Sequence, residues 1–302
     1  MGLELRHLEV LVAIAEEGSV SRAAARLHTG QPAVSRTLAQ LERALDRPLF
    51  DRTPTGCTLT EHGRLHLTRA RRALAAFELA VRPSDQKPTI TVGYVWAALG
   101  QLTNQVFERW NSDPRKREQL MLKRFQSRTS GVATGHADLG IARYPTPEVR
   151  HSTLLFTERR VAALRRTHPL ADRPELSLRD LSQERIVLDV LSGTTTMDLW
   201  PPHMRPTRPP INAGSVDEWN HHVSLGEGTG ITAESTPYIH PYPGIVYIPM
   251  TPETPRLQVF CIWEDDALAP VAAQLRDLVQ QIRAEDPADH ARIGSERHDL
   301  EH

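Results

Sequence analysis

The apolar positions of the first eighty residues fall at helical steps. Leu5, Leu8, Val12 and Ala15 recur at intervals of three, four and three, which is one face of an amphipathic helix. Gly18 ends that run, and Ser19 stands where the next helix can be capped. Val20, Ala23, Ala24 and Leu27 form a second, short stripe, whose alanines let a neighbouring helix approach closely. After a break at Thr29-Gly30, Val34, Leu38, Leu41 and Leu45 give a third helix its buried side. Thr29 is the expected N-cap of that helix, and Pro32 sits in its first turn, where a missing N–H costs little. The opposite side carries Gln31, Ser35, Arg36 and Gln40, donor-rich side chains that can reach base edges and phosphates. Two helices joined by a short turn, the second polar and basic on its exposed side, predict a helix-turn-helix. A plain three-helix bundle with a solvated face would show the same pattern.

The next stretch changes period. Leu49 and Phe50 begin a strand, Pro54-Thr55-Gly56 is turn chemistry, and Cys57-Thr58-Leu59 returns. This is a small hairpin, a wing, with Arg52 and Thr53 at its base as candidate phosphate contacts. Ser21, Thr29, Gln31, Pro32, Ser35, Arg36 and Gln40 complete the candidate DNA-binding set. Thr60 can cap a long helix in which Leu67, Ala70, Leu74, Phe77 and Val81 repeat at three, four, three and four. Such a seam of about two heptads marks a helix that packs on a partner helix, and these five residues are the dimerisation candidates. Packing on its own domain is the alternative. The polar, proline-bounded "RPSDQKP" from Arg82 to Pro88 reads as a linker.

Beyond the linker, strands alternate with helices, which implies an α/β arrangement with largely parallel sheets. Thr89 to Val95 is an apolar strand, and Trp96 to Trp110 reads as the helix after it. Strands are expected near Leu120 to Phe125 and over Leu139 to Ala142, with Val132 in a short helix between them. Further strands begin at Arg159 and within "ERIVLDV", and a helix begins between Thr194 and Trp200. "GIVYIPM" and "LQVFCIW" are strands, and Pro270 to Ile282 is a helix.

Composition sharpens this only at the front. The chain has 302 residues, 24% charged and 39% hydrophobic, with a net charge of -1, so it is not a strongly basic nucleic-acid binder as a whole. Residues 1–82 carry 12 Arg, no Lys and 9 Asp/Glu, giving +3, and the remainder carries -4. A mildly basic front on an acidic body suits a partner with negative charge at one end. Cys57 and Cys261 are too few and too far apart for a disulfide scaffold or a zinc site. The adjacent His221 and His222 cannot face one point on a helix, so metal sensing is not expected. No nucleophile elbow, signal peptide or 18-residue apolar run is present, so neither catalysis, export nor a membrane partner is expected and the protein should be cytoplasmic. No cofactor is called for. The stretch 286–302 is polar and expected to be a disordered tail, and Leu300-Glu301-His302 resemble the start of a vector-derived tag.

The segment from Leu5 to Val81 resembles the winged helix-turn-helix and linker helix of LysR-type transcriptional regulators. The carrying residues are Ala23-Ala24 with Leu27, "QPAVSRTLAQLE" from Gln31 to Glu42, "LFDR" from Leu49 to Arg52, and "LTEHG" from Leu59 to Gly63. Where the family has a serine before the Gln-Pro, this chain has Gly30, one hydroxyl fewer for DNA. "GHADLGIA", "HPLA" from His168 to Ala171, and "GEGTGITAESTPY" are looser matches to the family's effector-binding domain.

The resemblance implies an α+β/α/β two-part chain. A winged helix-turn-helix over residues 1–60 and a linker helix over 61–82 lead through a hinge at 83–88 to a two-lobed α/β, periplasmic-binding-protein-like effector domain over 89–285. Lobe I would comprise about 89–160 and 267–285 and lobe II about 161–266, with crossings near Arg160 and Glu264. The implied protein is a sequence-specific regulator, not an enzyme. Its implied partners are double-stranded DNA with an interrupted inverted repeat, a small-molecule effector, and further copies in a homodimer or homotetramer, with RNA polymerase open as another. The effector would sit between the lobes, near Trp96, Ala97 and Gln101, near Ser127, Arg128 and Thr129, and near Ser192, Thr194 and Thr195. Hydroxyls and N–H groups at a helix start would suit an anion there, with Arg128 or Arg143 as its partner. A cytoplasmic small-molecule-binding α/β protein or enzyme without DNA binding is the other reading.

Overall fold

In the computed structural model of the protein, the described residues are 2–53, 56–81, 87–144 and 146–285, and for Arg52, Thr53, Arg72, Ala75, Glu78 and Leu79 only the backbone is described. Most of the expected hinge and all of the expected tail lie outside the described residues. The chain forms two compact units, the first covering residues 1–88 with 133–136 and the second the rest.

The first unit opens with α1 (Leu5–Glu17), α2 (Val20–Arg26) and α3 (Gln31–Leu45). The strands β1 (Phe50–Thr53) and β2 (Gly56–Leu59) then pair antiparallel with Phe50 opposite Leu59 and Thr53 opposite Gly56, and α4 (Glu61–Val81) follows. Val34, Leu38 and Leu41 of α3 meet Ala23 and Ala24 of α2 and Val10, Leu11 and Ile14 of α1 in one core. The α3 and α2 stripes are those expected. The α1 stripe differs: His7, Val10, Leu11 and Ile14 are buried, while Leu8, Val12 and Ala15 pack at the margin. The cause is that α1 touches α2, α3 and α4 at once, so two adjacent apolar stripes are both covered.

Caps and close approaches fix this unit. Gly30, not Thr29, is the N-cap of α3, and no side chain caps it. Glu42 Oε1 accepts from Leu49 N at 2.7 Å, anchoring the hairpin to α3. Thr60 Oγ1 accepts from Gly63 N at 2.9 Å, the cap expected for α4. Glu16 pairs with Arg26 at 2.5 Å and Arg71 at 2.9 Å, joining α1, α2 and α4. Burial pushes the Glu16 carboxyl up, but the two guanidiniums more than offset this and hold it below its usual range.

The five seam residues of α4 divide. Leu67 and Ala70 are buried in the core of their own unit. Leu74 is half-buried, while Phe77 is 47% and Val81 63% exposed. The part of the seam available to another helix is therefore its C-terminal half.

The second unit holds two five-stranded sheets. Lobe I contains β3 (Thr89–Tyr94), α5 (Leu102–Ser112), β4 (Gln119–Arg124), β5 (Leu139–Ala142) and β6 (His151–Glu158). The chain then crosses to β7 (Arg160–Arg165), β8 (Ile186–Asp189), β9 (Ile211–Ala213), α6 (Val216–Leu225), β10 (Thr229–Ala233), α7 (Thr236–Ile239) and β11 (Ile245–Pro249) of lobe II. It returns as β12 (Leu257–Trp263) and α8 (Ala269–Glu285). The sheet orders are β4-β3-β5-β12-β6 and β11-β7-β10-β8-β9. In each, four strands run one way and a single strand, β12 in lobe I and β7 in lobe II, runs against them, second from one edge.

The structure corrects four expectations. The strand β12 pairs with β5 and β6, so the return crossing lies between Pro249 and Leu257 and not near Glu264. The helix expected from Trp96 begins only at Leu102, because Ala97 and Ala98 take left-handed φ values of 46° and 37° that no α-helix can continue through. Between Thr194 and Trp200 there is one 3-10 turn, Met197–Leu199, and the residues around Val132 are turns. The strands β6 and β9 were not among the expected elements.

Gly63 tests the helix–hairpin contact. A Cβ there would lie 2.0 Å from Leu49 O, whereas a Cβ on Gly2 would meet nothing within 4 Å. Gly63→Ala is expected to destabilise the protein by about 1–3 kcal/mol through overpacking, with Gly2→Ala neutral. Urea unfolding monitored by circular dichroism checks both.

Candidate functional site

The helix-turn-helix presents an exposed polar face. Ser21 of α2 donates to Gln31 Oε1 at 3.1 Å, so the two helices share one polar corner. Thr29, Gln31, Pro32 and Arg36 are exposed beside it and Ser35 is half-exposed. Gln40 lies deeper, its Oε1 3.2 Å from Nε2 of the buried His7. Neighbouring arginines are committed elsewhere: Arg22 donates to Glu17 O and Arg26 pairs with Glu16 and Glu17. Arg36 makes no ion pair among the described residues, so its charge is uncompensated. The uncapped N–H groups at the start of α3 add partial positive charge to the same corner. Of the wing candidates Arg52 and Thr53, the strand backbone is described and the side chains are not.

In the second unit a cleft lies between the lobes. A cavity with about 210 Å³ of empty space is lined by Val95, Trp96, Arg128, Ser130, Ile141, Ala142, Arg143, Tyr144 and Ser192. A second, of about 240 Å³, shares Val95 and is lined by Arg124, Phe125, Gln126, Asp189, Leu191, Gly214, Ser215 and Val216. Between them Trp96 leaves lobe I and packs into the lobe II core with Ala163, Val187 and Trp219. Its Nε1 donates to Thr236 Oγ1 at 3.2 Å, and its ring meets those of Trp219 and His240 edge-on at 5.6 Å.

Arg143 holds that loop. It is 4% exposed, with Nη1 donating to Trp96 O at 2.5 Å and Ala98 O at 3.0 Å, and Nε donating to Glu158 Oε1 at 3.2 Å. Glu158 Oε2 accepts from Ser235 at 2.8 Å, which carries the network into lobe II. The two left-handed alanines cost about 1–3 kcal/mol each and persist because the carbonyls on either side are gripped. Arg143 Nη2 is buried and has no hydrogen-bond partner among the described residues.

The far wall is the loop after β8. Asp189 Oδ1 accepts from the N–H groups of Leu191 and Ser192, and Ser192 Oγ accepts from Thr194 N and, at 2.7 Å, from Thr194 Oγ1. Thr195 Oγ1 donates to Ile231 O at 2.7 Å. Arg160 fixes the loop from the hinge side, donating to Thr194 O, to Thr195 Oγ1 and to Pro255 O, so one guanidinium ties both crossings to the cleft wall. Burial pushes Arg160 down to about 10, against the pull of nearby Glu158. At the rim Arg128 lies over the Tyr144 ring at 5.0 Å, and Tyr144 donates to Arg128 O at 2.5 Å. The hydrogen bond between Arg128 and the Tyr144 hydroxyl raises the guanidinium further above its ordinary range.

Of the effector candidates, the first cavity brings together Trp96, Arg128, Arg143 and Ser192. Gln101 is exposed at the start of α5, Ser127 bonds Thr129, and Ala97, Thr129, Thr194 and Thr195 are buried outside the lining. The expected anion site at a helix start is not formed, since the N–H groups of Leu191, Ser192 and Thr194 are taken by Asp189 and Ser192. Tyr144, Ser130, Glu158 and Arg160 were missed. None sits in a motif, and only the fold brings them to the cleft.

Residues 5–64 match the model of the bacterial regulatory helix-turn-helix proteins of the lysR family, and residues 119–284, more than half of the chain, match that of the LysR substrate binding domain. The chain belongs to the LysR family. BenM of Acinetobacter baylyi, a transcriptional regulator, is 27% identical over 292 residues, 91% of each chain. The small neutral protease regulatory protein of Streptomyces coelicolor is 33% identical over 200 residues, and the match spans 63% of this chain but only 60% of that relative. Full-length OxyR from Pseudomonas aeruginosa has the same fold, with a TM-score of 0.64 at 22% identity over 94% of this chain and 95% of its own. CbnR, solved as a complex with its target DNA, gives 0.66 at 19% over 92% and 99%.

The Arg143–Glu158 pair dominates the lobe junction. Removing one partner of a buried, hydrogen-bonded pair leaves the other charge stranded. Glu158→Ala is expected to cost roughly 3–5 kcal/mol, read as a drop in thermal midpoint. Asp266→Ala, at an exposed pair with Arg150, should change it little.

Proposed function

We propose that this protein is a sequence-specific DNA-binding transcriptional regulator whose grip on DNA is set by a small molecule held between the two lobes. The observation that carries the DNA half is the exposed corner of Ser21, Gln31, Ser35 and Arg36, where Arg36 has no carboxylate or carbonyl partner among the described residues, while Arg22, Arg26 and Arg43 each have one. Gln31, Ser35 and Arg36 read bases and phosphates in the major groove, and the wing holds the backbone. That CbnR was solved on its target DNA supports the reading. The protein acts as a regulator and not an enzyme, and works in the cytoplasm, where its DNA is. No helix among the described residues is long and apolar enough to cross a membrane.

The effector acts by differential affinity. A ligand that fits one closure of the lobes better than another shifts the assembly between states, by no more than that difference. Two copies joined through Phe77 and Val81 would place two recognition helices along an interrupted inverted repeat.

Two measurements test this. Arg36→Ala should weaken binding to the chain's own upstream DNA by about 1–3 kcal/mol if it contacts a base. Gel-shift titration over a salt series, with unrelated competitor DNA and footprinting, reads it out. Binding that vanishes with salt alike on all sequences would overturn the sequence-specific reading. Phe77→Glu and Val81→Glu should shift the sedimentation mass toward the monomer. An unchanged mass removes this helix from the interface.

A further inference from the structure

The helix α4 carries two histidines one turn apart. Residues four apart on a helix share a face, and His62 and His66 bring their rings together there, with centroids 4.5 Å apart and planes tilted by 54°. The adjacent His221 and His222 of α6 point in different directions and cannot meet in this way. The α4 pair is also uncommitted. His7 faces Gln40, His136 faces Thr134, His168 faces Glu184 and His222 faces Glu227. No hydrogen bond or ion pair ties His62 or His66 to another group among the described residues. Nε2 of His62 is moreover buried, with no hydrogen-bond partner among them.

A ring nitrogen shut away from water without a partner is destabilising. A water on it would stand about 2.7–3.2 Å away, whereas a metal ion bonds imidazole at about 2.0–2.1 Å and needs less room. Two imidazoles on one tetrahedral ion have their centroids about 5 Å apart, close to the 4.5 Å of this pair. The same spacing of four is how a helix offers two nitrogens to one zinc ion. The surroundings select the kind of ion. No third His, Cys, Asp or Glu joins the pair among the described residues, and the charge that bears on His66 from outside it is that of Arg69. A hard cation such as Mg2+ or Ca2+ needs oxygen ligands and finds none here. A borderline ion held by nitrogen lone pairs finds two.

We infer that His62 and His66 form a two-nitrogen site for a late first-row divalent metal ion, Cu2+, Ni2+ or Zn2+, with water in the remaining positions. The site stands apart from the DNA and effector readings and does not depend on either. Its place gives occupancy a structural consequence. Gly63 falls inside the four-residue span, lies against the Leu49 carbonyl and donates its N–H to Thr60 Oγ1. An ion across His62 and His66 therefore clamps the start of α4 where it meets the hairpin. The unfolded chain does not hold the two rings together, so binding stabilises the folded unit. With only two protein ligands the ion exchanges with solvent, as a sensed ion does and a structural one does not.

The full-length protein, free of any added tag, would be titrated with Cu2+, Ni2+, Zn2+ and Mg2+ by calorimetry, with thermal unfolding followed in parallel. Cu2+ should bind most tightly and Mg2+ not at all. His62→Ala and His66→Ala should each weaken Cu2+ and Zn2+ binding by about tenfold or more, and His222→Ala should leave it unchanged. Zn2+ should raise the thermal midpoint of the native protein, a chelator should reverse this, and neither single variant should show it. Electron paramagnetic resonance of bound Cu2+ should report two imidazole nitrogens in the native protein and one in each single variant. Both rings are half-buried, so the variants are expected to fold, which circular dichroism checks. If His66→Ala does not fold, His66→Gln replaces it. Equal binding by the native protein and by the double variant His62→Ala with His66→Ala overturns the inference. So does a one-nitrogen Cu2+ signal in the native protein, or no binding of any of the three late metals.

Discussion

One buried guanidinium organises the junction between the lobes. Arg143 stands at the end of the central strands of lobe I, and its donors reach the carbonyls of Trp96 and Ala98 and the carboxylate of Glu158. A lysine could not do this, because only a planar fork places several N–H groups in fixed directions at once. The consequences spread outward. The gripped carbonyls let Ala97 and Ala98 stay left-handed, the turn they make sends Trp96 into lobe II, and the delayed start of α5 follows. Through Ser235, Glu158 passes the same network to the strand–helix corner after β10. The cleft is the space left when these bonds are satisfied.

Arg160 plays a complementary part at the hinge. It joins the first crossing, where it sits, to Pro255 in the second and to Thr194 and Thr195 in the cleft wall. A relative movement of the lobes has to rearrange this guanidinium or carry all three segments together. Two arginines thus tie the cleft wall and the Trp96 loop to the crossings between the lobes.

The first unit handles charge differently. Several of its arginines are spent internally: Arg26 and Arg71 on Glu16, Arg22 on a carbonyl at the end of α1. These bonds stiffen the three-helix frame that carries α3. Arg36, next to Gln31 and Ser35, has no ion pair among the described residues, and its charge beside their donors makes this corner of a modestly basic domain suited to a polyanion. His7, buried yet bonded to Gln40, sets the far limit of that corner.

The sequence by itself determined the elements whose signal is local. The α2 and α3 stripes, the hairpin, the Thr60 cap and the strands Ile245–Pro249 and Leu257–Trp263 follow from spacing and turn chemistry within a few residues. It also determined the family, because the pieces occur in a specific order. It did not determine which of two apolar stripes on α1 faces inward, since that depends on how many neighbours surround the helix. Nor did it show the alternating β6, the late start of α5, or that β12 belongs with lobe I, because strand pairing joins residues a hundred positions apart. In the cleft, Arg128 and Arg143 are indistinguishable as letters. Only the tertiary structure makes one an exposed rim group and the other a buried clamp, because burial and the carbonyls within reach are properties of the folded chain.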